Sequence, residues 1–321
     1  MSTPYRARLY DADRRDRDVT LTRQLVRSLD DRKILWVYLP ARDREMVGEL
    51  SSLLDLPKSI VESLAEEHGR ARLVRDRSVI HLTVQAIERD QRNFVRREVD
   101  LVAGPNFVVS VHEGPVDALE RFAGDLPSDT LLGRLDAGSF LAALVDSVIA
   151  TWFDRIEEVE RDIEGLDELA LRGPTSNGFL VDVHRLRRRI AFVRRTIVPH
   201  REAFAPLVRP DFELDERLGR PWPGLVDRLE RVIDTAENAR DLLVGSLDIY
   251  LGRAAQRTNE VMKALTIVSS VLLPSIVLAG IMGMNFKLPF FNEPSNVWLV
   301  LGAMVVLAAG ILVAARLRRW I

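Results

Sequence analysis

Residues 264–284 read ALTIVSSVLLPSIVLAGIMGM and run directly into Asn285; residues 297–315 read VWLVLGAMVVLAAGILVAA. Neither run contains a charged side chain, and at 1.5 Å rise per residue about 20 helical residues cross a hydrocarbon core of roughly 30 Å. The only interruptions are residues that lipid-buried helices tolerate, Pro274, Gly280, Gly302 and Gly310, and neither run has the polar stripe of a soluble surface helix. A C-terminal membrane hairpin is therefore favoured over the buried core hairpin of a soluble protein. Lys263 precedes the first span, and Arg316, Arg318 and Arg319 follow the second. Positive flanks stay inside, so both termini are expected in the cytoplasm, the chain is a multi-pass protein of the inner (cytoplasmic) membrane, and the loop from Phe286 to Asn296 faces outward.

The totals hide this asymmetry. The 321 residues carry 45 basic and 47 acidic side chains, a net charge of -2, and a mean hydropathy of zero. Charge crowds into the part before the spans. A nucleic-acid binder is expected to carry a basic excess, so that class is disfavoured. Lysine occurs only at Lys33, Lys58, Lys263 and Lys287, so almost every cation is arginine. With no cysteine, disulfides, thiolate metal sites and cysteine nucleophiles are excluded together. The first 18 residues are rich in Arg and Asp and lack an apolar stretch, unlike a cleaved secretory signal.

Upstream of the spans the pattern changes twice. Residues 34–39 (ILWVYL), 79–87 (VIHLTVQAI) and 107–111 (FVVSV) are β-rich runs, and Gly104-Pro105-Asn106 marks a hairpin turn. Helical stretches are expected over Asp43–Leu54 and Pro57–Glu67, the second opening on a proline. This makes an α/β domain over residues 1–130. From Ser139 strand signals stop: Phe140, Leu144, Val148, Ile149, Trp152, Ile156, Val159 and Ile163 recur at helical steps, an amphipathic helix of coiled-coil character ending near Gly173-Pro174. A second helix is expected from Phe179 to Leu207, with Arg185, Arg187, Arg188, Arg189, Arg194 and Arg195 as a solvated or salt-bridging face. Beyond Trp222-Pro223 no strong breaker appears before Pro274, so one helix of the order of 90 Å is expected to run from Gly224 to Met284.

The fold class that follows is an α/β N-terminal cytoplasmic domain, long coiled-coil-like stalk helices and two C-terminal transmembrane helices. Its divisions are 1–130, the stalk 131–260, a first span 261–285 continuous with the stalk, the outer loop 286–296, a second span 297–315 and a basic cytoplasmic tail 316–321. Two helices cannot enclose a water path, so conduction would require several copies around an axis. Stepping by three or four from Asn259 gives Met262, Thr266, Ser269, Leu273, Ile276, Gly280 and Gly283, a seam holding most of the small or polar groups of the first span. It suits pore lining, or ordinary close helix packing.

These residues carry a family resemblance. Thr258-Asn259-Glu260-Val261-Met262-Lys263, Leu265-Thr266-Ile267, Pro274, Ala279-Gly280-Ile281 and above all Gly283-Met284-Asn285-Phe286 resemble the first membrane segment of the CorA family of divalent-cation channels. Leu247-Asp248-Ile249-Tyr250-Leu251 also fits, as does the order of the parts. The resemblance implies a homopentamer in membrane lipid that passes Mg2+, with Co2+ or Ni2+ as further substrates, through a filter of Gly283, Met284 and Asn285. It implies that Asn259, Met262, Leu265 and Thr266 line the cytoplasmic half of the pore, and that Leu273 forms a hydrophobic constriction. Mg2+ is substrate and, by the same resemblance, regulator; no other cofactor and no enzymatic activity are expected. Ile276 and Met282 stand where family members often carry threonine and tyrosine, which makes this seam more apolar. The outer loop has Lys287 early and only Glu293 later, so cations are focused less strongly at the mouth.

A regulatory ion in the family lies between subunits. Carried over, its ligands fall at Glu62 beside Ser63 and at Asp227 near Gly224, one carboxylate short at each place. The acids between Glu157 and Glu168 could hold cations or form a solvated helix face. Alternative readings are a Zn2+ transporter of the same fold and a membrane-anchored coiled-coil scaffold or sensor. No histidine lies near the spans; His68, His81, His112, His184 and His200 are expected as surface or core residues rather than ligands.

Overall fold

The computed structural model describes residues 5–13, 16–91, 93–124, 136–172, 178–209, 222–284 and 295–318. The described chain divides into two compact units, one comprising residues up to 167 together with 177–246, the other residues 168–176 and 247–321.

The first unit is built on a seven-stranded sheet, β1 Arg6–Asp11, β2 Arg17–Asp18, β3 Lys33–Leu39, β4 Arg72–Asp76, β5 Val79–Asp90, β6 Asn93–Gly104 and β7 Phe107–His112. Its order is β2-β1-β3-β7-β6-β5-β4, and only the β3–β7 pair is parallel. Three short helices accompany the strands: α1 Arg23–Arg27, α2 Arg44–Leu54 and α3 Lys58–Leu64. Asp43 caps α2 by accepting from the Glu45 amide at 2.8 Å, and Asp55 ends it in a left-handed conformation (φ 55°).

Strand alternation decides what each face buries. Leu35, Val37, Leu39, Val109 and Val111 point to one face and pack with Met46, Val47, Leu50, Ile60 and Leu64 of α2 and α3. Each such side chain withdrawn from water contributes about 1.5–3 kcal/mol. The opposite face carries Tyr10 and Trp36, whose rings meet Phe140 at 5.3 and 5.9 Å. Phe140 belongs to α5, Ala137–Arg172, and Phe122 of α4, Asp117–Gly124, joins the same aromatic cluster.

The expected hairpin at Gly104 is present, with β6 and β7 paired from Gly104↔Phe107 outward. Glycine is required there: a Cβ at position 104 would lie 2.3 Å from the Phe107 ring. A further hairpin, β5–β6, turns through Gln91 at φ 52°. The sequence reading missed it because residues 88–93 are all polar or charged, which hides the strand ends from an apolar pattern. It also missed β1 and β4, short strands in which arginines interrupt the apolar residues.

One expectation is corrected. The helix anticipated from Phe179 to Leu207 stops at Ile197, and the chain continues as α6 Phe179–Ile197, α7 His200–Phe204 and a 3-10 turn Ala205–Val208. Pro199 is the reason: it has no N–H to donate and its ring opposes the carbonyl four residues earlier. The arginines of α6 pair largely as anticipated, Arg185 with Asp182 and Arg194 with Glu237 at 2.9 Å each. Arg189 differs from the solvated account, being buried between Glu158 and Asp162 with its guanidinium 4.3 Å from the Phe94 ring centre.

The break at Pro199 positions His200. Strand β4 reaches only to the Arg72↔Thr83 pair, so the outer edge of β5 is open at Gln85. Two helices complete it: Trp152 of α5 donates its indole N–H to the Gln85 carbonyl, and His200 Nε2 accepts the Gln85 amide, both at 3.0 Å.

A last pair of long helices follows. Helix α8, Trp222–Met282, is one continuous element, and α9 spans Asn296–Leu317. The anticipated stop at Gly173-Pro174 and most of the outer loop lie outside the described residues.

Candidate functional site

Three helices are long and apolar enough to cross a membrane, and their burial separates them. The apolar window of α5 is 61% buried within the chain, whereas those of α8 and α9 are 0% buried. Helix α5 is thus core, and the apolar segments of α8 and α9 are unpartnered. The interior residues of α8 run from Trp222 to Ser246, and no later residue of that helix is buried. In α9 only Ala315 is. A water-facing surface of this kind would cost far more than any soluble chain sustains, so lipid or other copies of the chain must cover it.

The seam residues all lie on α8, and their alternating three- and four-residue steps bring them to one stripe. Asn259, Met262, Leu265, Thr266, Ser269, Leu273, Ile276 and Gly280 are all exposed, Leu273 at 63% and Ile276 at 64%. Thr266 donates its hydroxyl to the Met262 carbonyl at 2.8 Å, which leaves the oxygen's remaining lone pair free to accept. Pro274 deprives the carbonyl at Ser270 of its helical donor. One residue on, the Ser275 hydroxyl donates to the Val271 carbonyl at 3.2 Å.

Past Met282 the helix tightens. Gly283 still donates to the Ala279 carbonyl at 2.9 Å, and Met284 donates to Ile281 at 3.2 Å, a three-residue step. The end of a helix leaves its last carbonyls without intrahelical donors and carries the negative pole of the macrodipole, so this terminus offers oxygen acceptors to a cation. Gly280 and Gly283 are not demanded by the fold of one chain. A Cβ at Gly280 would meet nothing within 4 Å, and one at Gly283 nothing nearer than 3.5 Å. What glycine adds at both is a backbone that another molecule can approach closely. Asn285 lies outside the described residues, as do Lys287 and Glu293.

The regulatory candidates fare differently. Glu62 on α3 and Asp227 on α8 are exposed. Ser63 is buried and committed: its hydroxyl lies 2.9 Å from His68 Nε2 and 3.2 Å from His81 Nδ1, and Arg72 donates to it. Among the described residues no three His, Asp or Glu side chains gather as a metal site within the chain. Of the acids from Glu157 to Glu168, Glu158 and Asp162 are taken up by Arg189.

The sequence reading missed a buried polar row on the central strands. His81, Thr83 and Gln85 of β5 lie opposite Val102, Asp100 and Glu98 of β6. Asp100 accepts from His81 Nε2 at 2.7 Å and from the Thr83 hydroxyl at 2.6 Å, and it pairs with Arg42 at 2.6 Å. Burial alone would raise the Asp100 carboxyl; the hydrogen bond from His81 and the charges of His81 and Arg42 outweigh it and hold the group below the usual carboxylate range. Glu98 receives Arg42, Gln85 and the amides of His68 and Gly69. The signal was present in VIHLTVQAI, where His81, Thr83 and Gln85 alternate with apolar residues.

At the end of β5, burial and the neighbouring charge of Asp117 push Glu88 up to about 7, while it accepts the Asp117 amide at 3.1 Å. His200 is driven the other way, to about 4, by complete burial. It stays neutral, which its acceptor role toward Gln85 requires.

The model of the family described as CorA-like Mg2+ transporter protein matches residues 31–319. The chain is 25% identical over 292 residues to the cobalt/magnesium transport protein CorA of Thermotoga maritima, covering 89% of this chain and 83% of that one. It is 24% identical over 261 residues to the zinc transport protein ZntB of Photorhabdus laumondii, covering 78% and 76%. The solved CorA magnesium transporter of Methanocaldococcus jannaschii superposes with a TM-score of 0.74 at 18% identity, over 100% of both chains. Taken with the uncovered apolar helices, these matches identify the chain as a member of the CorA-like Mg2+ transporter family, a membrane-embedded divalent-cation transporter.

Proposed function

We propose that this protein is a homopentameric channel that carries hydrated Mg2+ across the cytoplasmic membrane, with Co2+ and Ni2+ as lesser substrates. In this reading α8 and α9 supply two spans, both termini are cytoplasmic, and copies of the α8 seam surround the pore. The observation that carries it is the α8 terminus: an uncharged, wholly uncovered stripe of small and polar residues leading into Gly283-Met284-Asn285.

The chemistry follows from Mg2+ itself. The ion sheds water reluctantly, so a ring that holds it through its own hydration shell avoids the dehydration cost. Asn285 amide oxygens and the unpaired carbonyls near Gly283 accept hydrogen bonds from the ion's waters. Neutral oxygens bind weakly enough for release, as conduction requires. Leu273, further into the seam, closes the path by dewetting when its copies approach. Glu62 and Asp227, being exposed, remain available to a regulatory Mg2+ held between copies.

The test is ion flux into vesicles holding the purified protein, for Mg2+, Co2+, Ni2+ and Zn2+, with and without a proton gradient. The expected result is Mg2+ entry without the gradient, abolished by Asn285→Ala in a complex whose mass still corresponds to five chains. Equal flux of monovalent ions would sink the filter argument. The similarity to a zinc transport protein favours a second reading; Zn2+ flux exceeding Mg2+ flux and driven by the gradient would select it. No flux of any of the four ions, in the wild type as in Asn285→Ala, would leave only a membrane-anchored scaffold.

A further inference from the structure

A cavity of about 740 Å3 opens on the sheet face opposite α2 and α3, between the β1–β3 corner and the end of α4. Strand register sets its floor. Arg6 lies across from Tyr38, and Arg8 lies across from Trp36 on one side and Asp18 on the other. Glu120 of α4 stands over the same space. No residue of this cavity belongs to the ion pathway.

Its two arginines differ from those that the fold commits to carboxylates. Arg42, Arg189, Arg201 and Arg228 each meet a carboxylate. Arg8 is half-buried, its Nε is shielded from water without an acceptor, and its guanidinium rests 5.6 Å from the Tyr10 ring centre. Among the described residues neither Arg6 nor Arg8 forms an ion pair, although Asp18 lines the same cavity. A guanidinium in a concavity with unused donors presents the fork geometry that phosphate fits.

The remaining lining narrows the ligand. Tyr38 is half-buried and Trp36 is almost wholly buried, and both rings line the same space. Aromatic faces of this kind hold nucleobases by stacking. Asp18 and Glu120 are acceptors only, suited to the hydroxyls of a ribose or a base amino group and hostile to a long polyphosphate. The volume lies within the range of small-molecule sites and exceeds what inorganic phosphate needs.

We propose that this cavity binds a nucleoside monophosphate, with the phosphate on Arg6 and Arg8, the base against Tyr38 and Trp36, and the sugar hydroxyls toward Asp18 or Glu120. The site lies in the first unit, so occupancy there would give the transporter a second chemical input besides its ion.

Calorimetric titration of the full chain in detergent, in Mg2+-free buffer, tests this with AMP, GMP, adenosine and inorganic phosphate as probes. Saturable binding of AMP or GMP, one per chain, is expected, with adenosine and phosphate weaker by roughly tenfold or more, the worth of one charge-assisted contact. Arg6→Gln, an exposed position, should weaken binding by a similar factor. Ala123→Trp fills the rim of the cavity from α4 and should abolish binding while circular dichroism and Mg2+ flux stay unchanged. Absence of AMP and GMP binding overturns the proposal. So does phosphate binding as tightly as AMP, or undiminished nucleotide binding in both folded variants.

Discussion

The central strands and the final helices solve opposite problems. Around β5 and β6, charged groups are sealed inside: Asp100 and His81 are 0% exposed, and Asp100 and Glu98 both pair with Arg42. On α8 and α9, apolar groups are left outside, Leu273 at 63% and Trp298 at 77% exposure. The first arrangement is complete in one copy. The second is complete only with lipid or further copies. The first unit's stability is therefore expected to come from contacts made within one copy, apolar core and polar row together, and assembly from contacts the single chain does not make.

The sharpest way to break this contrast is to remove a charge from the sheet and add one to the apolar helices. Asp100→Ala leaves Arg42 with Glu98 alone and strips the buried His81 and Thr83 of their shared acceptor, and should cost about 3–5 kcal/mol, read as the denaturant midpoint of the first unit's unfolding. Loss below 1 kcal/mol would mean that the row is not the keystone described here. Adding a charge to the other side is the complement: Val305→Arg, in the middle of α9 and outside the seam, should cost about 2.5–3.5 kcal/mol of membrane insertion, visible as a lower inserted fraction, without moving that midpoint.

Acidity probes the interior further, and two groups act with opposite sign. His200 has its affinity for protons lowered to about 4, so its contribution is full above the ordinary histidine value of 6.5 and is lost as pH falls toward 4. Glu88, raised to about 7, contributes fully below the ordinary glutamate value of 4.5 and loses that contribution as pH rises through 7. In the wild type these trends offset one another between pH 4.5 and 6.5. Glu88→Gln unmasks His200: its stability should fall by about 3 kcal/mol from pH 6.5 to 4. The same variant should exceed the wild type at pH 8 by about 2 kcal/mol and match it at pH 5. A flat difference across pH would remove the Glu88 argument.

Smaller effects refine the boundary. Trp152→Phe deletes the donor to Gln85 and should cost about 1 kcal/mol in the first unit. Leu299→Ala, at a site 62% exposed, should change that unit's unfolding by less than about 0.5 kcal/mol. A large effect of Leu299→Ala on the soluble transition would show that the two regions are less independent than their burial suggests.

How much was legible beforehand follows from the range of the interactions involved. The two apolar runs, the long helices and the turn at Gly104 depend on composition and spacing within a few residues, and periodicity reports them directly. The strands at Arg6–Asp11 and Arg72–Asp76 were missed because they are short and their arginines break up the apolar residues, which only pairing with β3 and β5 brings into the sheet. Pro199 was a local signal overlooked inside an otherwise helical stretch. The regulatory assignment at Ser63 came from matching positions, and the actual neighbours, His68, His81 and Arg72, occupy that hydroxyl.

Sequence alone, then, determined the class of this protein: an uncharged stretch of membrane length ending in Gly283-Met284-Asn285 cannot be stable in water, and its small and polar residues fall on one stripe because helical geometry is fixed. Tertiary structure alone decided where the charges go. Whether Asp100 is paired, Glu88 protonated or Arg8 left open depends on which distant side chains the sheet brings within 3 Å, and electrostatic energy in a dry interior changes steeply over that distance.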